Sequence, residues 1–386
     1  MLPSENRLGI VAVLGATQTI SWASTYYLPA VLALPMAASI GISSVVVYAA
    51  FSLSLIVSAT IGPLAGSWID RVGGRRVLMV SNLVLASGLL TLASATSAIV
   101  MFLGWAIVGV GMGMGLYEAA FTTLAAIYGR SARGPLTGVT LIAGFASTLG
   151  WPLSSFILAG WGWREACIGW ALLQVGVALP LNALLPRLRA PTVTAEPLVE
   201  ELPTISRAKT GLLAFVFAAT WFNSTAMAAH FPAVLQAAGA STATSILASA
   251  MIGPAQVVAR LLDFGLLRRF HPVVSARFAA SAHPLGAIAL VAVGSPAAVP
   301  FAILHGAGNG MMTIAQGTLP LILFGPAGYG LRLGWLNAPA RLTQAAAPLL
   351  FGAALATYGA SAIWITAVLG LMSVVALSLL RTPKAG

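Results

Sequence analysis

About twelve apolar runs, most near twenty residues long or somewhat longer, constrain this chain more than any other feature. They fall roughly at 8–36, 44–68, 76–95, 98–128, 135–159, 164–186, 211–237, 243–267, 273–294, 298–324, 334–357 and 360–380. A helix of about 20 apolar residues crosses the roughly 30 Å hydrocarbon core of a bilayer. It also satisfies its own backbone N–H and C=O groups, which lipid cannot do. The longer runs can tilt, or end in proline-broken turns at Pro29, Pro35, Pro320 and Pro339. The expected fold is an all-α integral membrane protein with about twelve transmembrane helices.

Composition removes the soluble classes. Of 386 residues, 59% are hydrophobic and 7% charged, well below what the surface of a soluble domain needs. The net charge of +11 invites a nucleic-acid reading. The basic residues instead sit in short loops between apolar runs, with no stripe interleaved with exposed aromatics. With both termini in the cytoplasm, the inner segments carry Arg7, then Arg71, Arg75 and Arg76, then Arg130 and Arg133. They continue with Arg187, Arg189, Arg207 and Lys209, then Arg268, Arg269 and Arg277, then Arg332, Arg381 and Lys384. The outer loops carry only Arg164, beside Glu165. That asymmetry predicts an N-in, C-in topology.

One polar break interrupts the series. Residues 187–210 hold Pro191, Pro197 and Pro203 with Glu196, Glu200 and Glu201, the composition of a cytoplasmic linker. The expected domains are a six-helix bundle over 1–186, the linker 187–210, and a second six-helix bundle over 211–386. The single Cys167 excludes an internal disulfide or a multi-cysteine metal site. The run after Arg7 is too long for a cleavable signal, so it is expected to remain as the first helix.

The densest charge lies in Gly66-Ser67-Trp68-Ile69-Asp70-Arg71-Val72-Gly73-Gly74-Arg75-Arg76, a short turn between the second and third runs. Gly66 is expected to allow close helix approach. Asp70 lies near the C-terminal end of a helix, where an anion needs compensating cations, and Arg71, Arg75 and Arg76 can supply them. The spacing Gly-x-x-x-Asp-Arg-x-Gly-x-Arg-Arg resembles the signature loop of the major facilitator superfamily. Gly66, Asp70, Arg71, Gly73 and Arg75 match it, while Gly74 stands where a basic residue is common. The resemblance implies two bundles that rock about a substrate site, with this loop as a gating element. Gly144, Gly150 and Pro152 are similar to the superfamily's antiporter signature, which Trp151 interrupts. Gly160-Trp161-Gly162-Trp163-Arg164 resembles a segment of the monocarboxylate-transporter-like branch.

Ionisable side chains inside apolar spans are functional candidates, because lipid penalises them. Glu118, Arg260, Asp263 and Arg341 are such residues. Glu118 precedes Arg130 by 12 residues, about 18 Å along a helix. A buried carboxylate binds its proton more tightly, so Glu118 is the expected proton carrier. Gln256, Arg260 and Asp263 share one helical face, as do Asn337, Arg341 and Gln344. Arg260 either pairs with Asp263 or offers its planar fork to an oxyanion. Gln18, Trp22, Tyr26, Asn223, Asn309 and Gln316 complete the expected substrate-binding set. His305 lies one turn from Asn309, and Tyr27 follows Tyr26. Such stripes also serve as glue between helices.

These features point to a secondary transporter in the cell's inner membrane. It would move a small anionic or zwitterionic solute by alternating access, with protons as coupling ion and the lipid bilayer as its surroundings. No nucleic-acid partner is expected, and the monomer is expected to suffice. A proton-driven exporter of drugs or lipophilic compounds is the alternative, using Trp22, Tyr26, Tyr27, Trp151, Trp221 and Phe222 as a loose apolar lining. A copper transporter is the remote one, since Met227, His230, Met311 and Met312 offer soft ligands. No enzymatic activity, cofactor or resident metal is expected. The four His are scattered, and the chain has no phosphate-binding Gly-x-x-x-x-Gly-Lys-Ser/Thr loop.

Overall fold

The computed structural model describes residues 6–187, 207–265, 271–324 and 329–380. Most of the expected linker lies outside the described residues, as do Arg268, Arg269, Arg381 and Lys384, and the side chains of Asp70, Arg130, Arg133 and Arg332. Among the described residues every regular element is helical. The chain divides into two compact units, Met1–Ala195 and Glu196–Gly386.

The described helices group into twelve spans. The first is Arg7–Ala23 followed by Pro29–Ile40, the second Ser44–Val72, the third Gly74–Ala93. Ala98–Gly115 and Tyr117–Tyr128 make the fourth, Arg133–Ala143 and Ala146–Gly160 the fifth, and Trp163–Leu173 through Leu179–Ala183 the sixth. In the second unit the seventh span is Arg207–Ala237 and the eighth Thr242–Ala250 with Ile252–Gly265. Pro272–Val293, Ala298–Phe324, Tyr329–Tyr358 and Ile363–Leu379 are the ninth to twelfth. Span starts are fixed by side-chain caps. Asn6 accepts from the Gly9 N–H at 2.9 Å, Ser241 from Thr244 at 3.1 Å, and His271 Nδ1 from Val273 at 3.3 Å, each satisfying a donor the helix leaves open.

The charged turn is far tighter than the sequence suggests. Helix continues through Val72 and resumes at Gly74. Gly73 alone lies between them, with φ 84° and ψ 145°, a conformation that L side chains rarely adopt. Close approach occurs at Gly74, where a methyl group would overlap Thr123 of the fourth span. The expectation for Gly66 is corrected: a Cβ there would meet no described atom within 4 Å.

In the first unit the fourth span is wedged between the second and third. A Cβ on Gly109 would lie 2.5 Å from the Ser54 carbonyl oxygen, and one on Gly113 2.8 Å from that of Ser58, both in the second span. On the other side Gly111 packs on Leu85 and Gly115 on Ser81 of the third span. The second unit repeats the device. Gly306 and Gly310 of the tenth span press on Ile252 and Gln256 of the eighth, and Gly308 presses on Ala279 of the ninth.

Polar side chains join spans within each unit. Asn82 donates to Gln174 Oε1 at 2.7 Å, Gln174 donates to Ser24 Oγ at 2.9 Å, and Asn182 donates to Asn82 Oδ1 at 2.8 Å. This buried amide chain ties the first, third and sixth spans at a π-helical turn, Gln174–Ala178. At the other end of the unit from Gly73, Arg164 lies over the Trp163 ring at 4.3 Å. It also donates to Ser39 Oγ at 2.9 Å and the Ala95 carbonyl at 3.0 Å. In the second unit Arg277 donates to the Leu377 carbonyl at 3.1–3.2 Å, capping the end of the twelfth span.

Candidate substrate and proton sites

In the first unit the site is built on a break in the fourth span. The helix ends at Gly115, and Leu116 is extended, with φ −83° and ψ −167°. A helix end leaves carbonyls without partners, and Gln18 takes one: its Nε2 donates to the Gly115 oxygen at 2.6 Å. The helix restarts at Tyr117, which places Glu118 in its first turn, where the helix dipole favours an anion. The side chain of Glu118 is exposed, which overturns the expected burial. Its carboxylate lies against Gly62 of the second span, where a Cβ would come within 2.8 Å of Oε2.

Aromatic rings surround this break. Trp22 meets Tyr26 edge-on with centroids 4.9 Å apart and leans on Tyr117 at 4.9 Å, and Tyr117 stacks on Phe121 at 5.1 Å. Two buried polar atoms of the first span have no hydrogen-bond partner, Gln18 Oε1 and Trp22 Nε1. One accepts, the other donates, and they lie a helical turn apart. A polar solute can supply the partners both lack. Tyr26 is deeply buried between Tyr27 and Phe51 and supports the cluster from within. Trp151 is also buried, donating to the Tyr27 carbonyl at 3.1 Å.

In the second unit, Asn223 and Asn309 border one small cleft together with His283, His305 and Ser373. Asn223 donates to the Thr366 carbonyl at 2.9 Å, and its Oδ1 is buried without a partner. Arg260 is only 8% exposed. It donates from Nε to the Gly310 carbonyl at 3.3 Å and from Nη2 to Gln256 Oε1 at 3.4 Å. The eighth span is thus bound to the tenth where Gly310 brings the backbones together. Asp263 is half-buried, as are Asn337, Gln344 and Gln316, whereas Arg341 is exposed. His230 turns Nε2 to the Pro348 carbonyl at 2.9 Å. Among the described residues no three His, Cys, Asp or Glu side chains gather as metal ligands. In the charged turn Arg71 and Arg76 are exposed, and Arg75 is half-buried with Nη1 lacking a partner.

Sequence reasoning passed over Tyr117, Gly62 and His283. His283 carried a usable signal, since it is an ionisable side chain inside an apolar run. Tyr117 and Gly62 carried none, because their roles arise from the break at Leu116.

The sequence model of the Major Facilitator Superfamily matches residues 14–321. The chain belongs to this family. It is accordingly a multi-pass membrane protein with the family's transporter fold. No curated protein matches the sequence. Among solved structures it is similar to the nucleoside transporter NupG, at 13% identity and TM-score 0.78 over 97% of this chain and 100% of that one. It is also similar to a D-xylose–proton symporter, at 14% identity and TM-score 0.76 over 99% of each chain. A third is a bacterial homologue of the human lysosomal transporter Spinster, inward-facing and unoccupied, at 16% identity and TM-score 0.70 over the whole of both chains. At such identities these likenesses establish the fold alone.

Proposed function

We propose that this superfamily member is a proton-coupled secondary transporter of the cytoplasmic membrane, working as a monomer on a small organic anion or zwitterion. The observation that carries the solute class is Arg341. Its side chain is exposed on the helix Tyr329–Tyr358, 9 residues from Arg332 and so about 13 Å along the span. A guanidinium at that depth belongs in a wet cavity rather than in lipid, and its planar fork suits a carboxylate. Half-buried Asn337 and Gln344 share its face. Glu118 is the proposed proton carrier, and Gly66, Asp70, Arg71, Gly73, Arg75 and Arg76 form the proposed gate.

Proton-driven export of drugs or other lipophilic compounds is the second reading. It is favoured by the half-buried Trp22 and Tyr117 rings beside exposed Glu118. One experiment separates the two. Purified protein in liposomes with an imposed proton gradient is offered carboxylates, amino acids and lipophilic cations in turn. The proposal expects gradient-driven movement of a carboxylate or amino acid, stopped by a proton ionophore and weakened tenfold or more by Arg341→Ala and nearly as much by Arg341→Lys, about the 1.5–3 kcal/mol of a charged hydrogen bond. Movement of cations alone, indifferent to Arg341, refutes it.

A further inference from the structure

The second unit holds a pair of histidines that the proposed transport reading does not use. His283 in the ninth span and His305 in the tenth approach through their Nδ1 atoms at 2.9 Å. They are 6% and 5% exposed. The contact is a hydrogen bond and not a metal clasp: two imidazole nitrogens bonded at about 2.0–2.1 Å to one tetrahedral ion would stand roughly 3.3 Å apart. One ring therefore carries its proton on Nδ1 and the other accepts it. The pair is packed among aromatic rings, with His305 against Phe231 at 5.6 Å and His283 against Phe301 at 5.4 Å.

A purely structural clip between two spans would satisfy both ends of each ring, because an unpaired buried nitrogen is costly. His283 Nε2 is buried and has no partner, and neither has Asn223 Oδ1 on the seventh span. Both residues border the same cleft, whose other polar lining is neutral and includes Asn309 and Ser373. The cleft has a volume of about 40 Å³. A buried water needs about 10–15 Å³ measured this way and two to four polar partners. The space suits about three waters.

We propose that His283 and His305, with water in the Asn223 cleft, form a proton-binding relay inside the second unit. A proton arriving at His305 Nε2 makes that ring an imidazolium. Its Nδ1 proton passes to His283 Nδ1, and the Nε2 proton of His283 leaves to the cleft water beside Asn223. One proton enters and one departs, and both rings end neutral with their tautomers exchanged. No described charged side chain lines the cleft. On the elements packed around the pair, the ninth span carries Arg277, turned to the Leu377 carbonyl, and the eighth carries Asp263 and Arg260, the latter held on Gly310. The seventh carries Arg207, Lys209 and His230, and the eleventh Arg332 and Arg341; the described part of the twelfth carries none. The relay rests on the proton-coupled reading for its role in transport, but its existence can be measured without a solute.

The test is magnetic resonance of ring-15N-histidine protein in lipid nanodiscs, where only four histidines report. Signals are assigned by their loss in His283→Gln and His305→Gln, or by sequential labelling of the wild type where a variant fails to fold. The relay expects a scalar coupling across the Nδ1–Nδ1 contact. It also expects the two rings to exchange tautomers faster as the pH is lowered from 8 to 5, with hydrogen-exchange cross-peaks from His283 Nε2 to water. Rings that keep fixed tautomers and show no exchange with water throughout that range overturn it. If the rings exchange tautomers and protons while a proton gradient drives no solute, the relay stands and the coupled-transport reading falls.

Discussion

The glycine wedge of the fourth span can be tested with the chain's own single thiol. In Gly109→Ala the new methyl would meet the Ser54 carbonyl oxygen at 2.5 Å, its Cα at 2.9 Å and its carbonyl carbon at 3.0 Å. All three obstacles are backbone, so no side chain can swing aside and the second span must move. Overpacking of this kind costs about 1–3 kcal/mol, here at the upper end. Alanine's better helix propensity returns about 1 kcal/mol, leaving a net loss of about 2 kcal/mol. For a unit of this size that is a drop in melting temperature of about 4–8 °C. Gly66→Ala is the control, since no described atom stands within 4 Å of its added carbon. It should keep the melting temperature or raise it by up to about 2–4 °C, for a gain of up to about 1 kcal/mol. Cys167 is fully buried in the same unit, so a thiol-reactive fluorophore that labels it only on unfolding reads both variants in detergent. If Gly109→Ala melts at or above the temperature of Gly66→Ala, the spans are not packed this closely and the wedge is wrong.

Three further outcomes are expected. Asp70→Asn and Arg71→Ala should lower the maximal transport rate several-fold while leaving solute affinity within about twofold, because they bias a conformational equilibrium; a large affinity loss at unchanged maximal rate contradicts the gating role. Glu118→Gln should abolish accumulation driven by a proton gradient yet spare solute exchange without one, and wild-type accumulation by the variant would make Glu118 structural. Arg260→Ala should lower thermal stability by about 1–3 kcal/mol by removing its charged hydrogen bonds to the Gly310 carbonyl and Gln256. Adding Asp263→Ala should not restore the loss, whereas full rescue would mean that the arginine serves only to neutralise Asp263.

The spans were legible because a single strong constraint sets them. Nothing but a helix of bilayer length satisfies both an apolar solvent and the backbone, so runs such as 98–128 and 298–324 coincide with the span Ala98–Tyr128 and the helix Ala298–Phe324. The break inside the fourth span was not legible. No proline marks it, and the Gly115 carbonyl it frees is satisfied by Gln18, 97 positions away. Distant contacts of that kind leave no periodic trace. The same limit explains Glu118. Position along a helix gave its depth but could not give its exposure, which depends on where the helix restarts. Arg260 was read as either an ion-pair partner or a solute ligand, and the Gly310 carbonyl that holds it lies 50 positions along the chain.

The two wedges show how a quasi-repeat can escape a sequence comparison. Gly109-Val110-Gly111-Met112-Gly113 and Gly306-Ala307-Gly308-Asn309-Gly310 share only their glycines. Those glycines are the residues that the packing requires, because each faces a neighbouring backbone or side chain with no room for a methyl group. The intervening positions are free of that demand, and they are where the units differ. In the first unit Met112 fills the place that Asn309 takes in the second, and Val108 the place of His305. Met112 and Val108 are buried and keep that stretch of the fourth span apolar up to the break that presents Tyr117 and Glu118. Asn309 and His305 instead border the small cleft of the second unit. A shared scaffold of glycines fixes the helix spacing in both units, so the polar chemistry can diverge between them without disturbing the packing beneath.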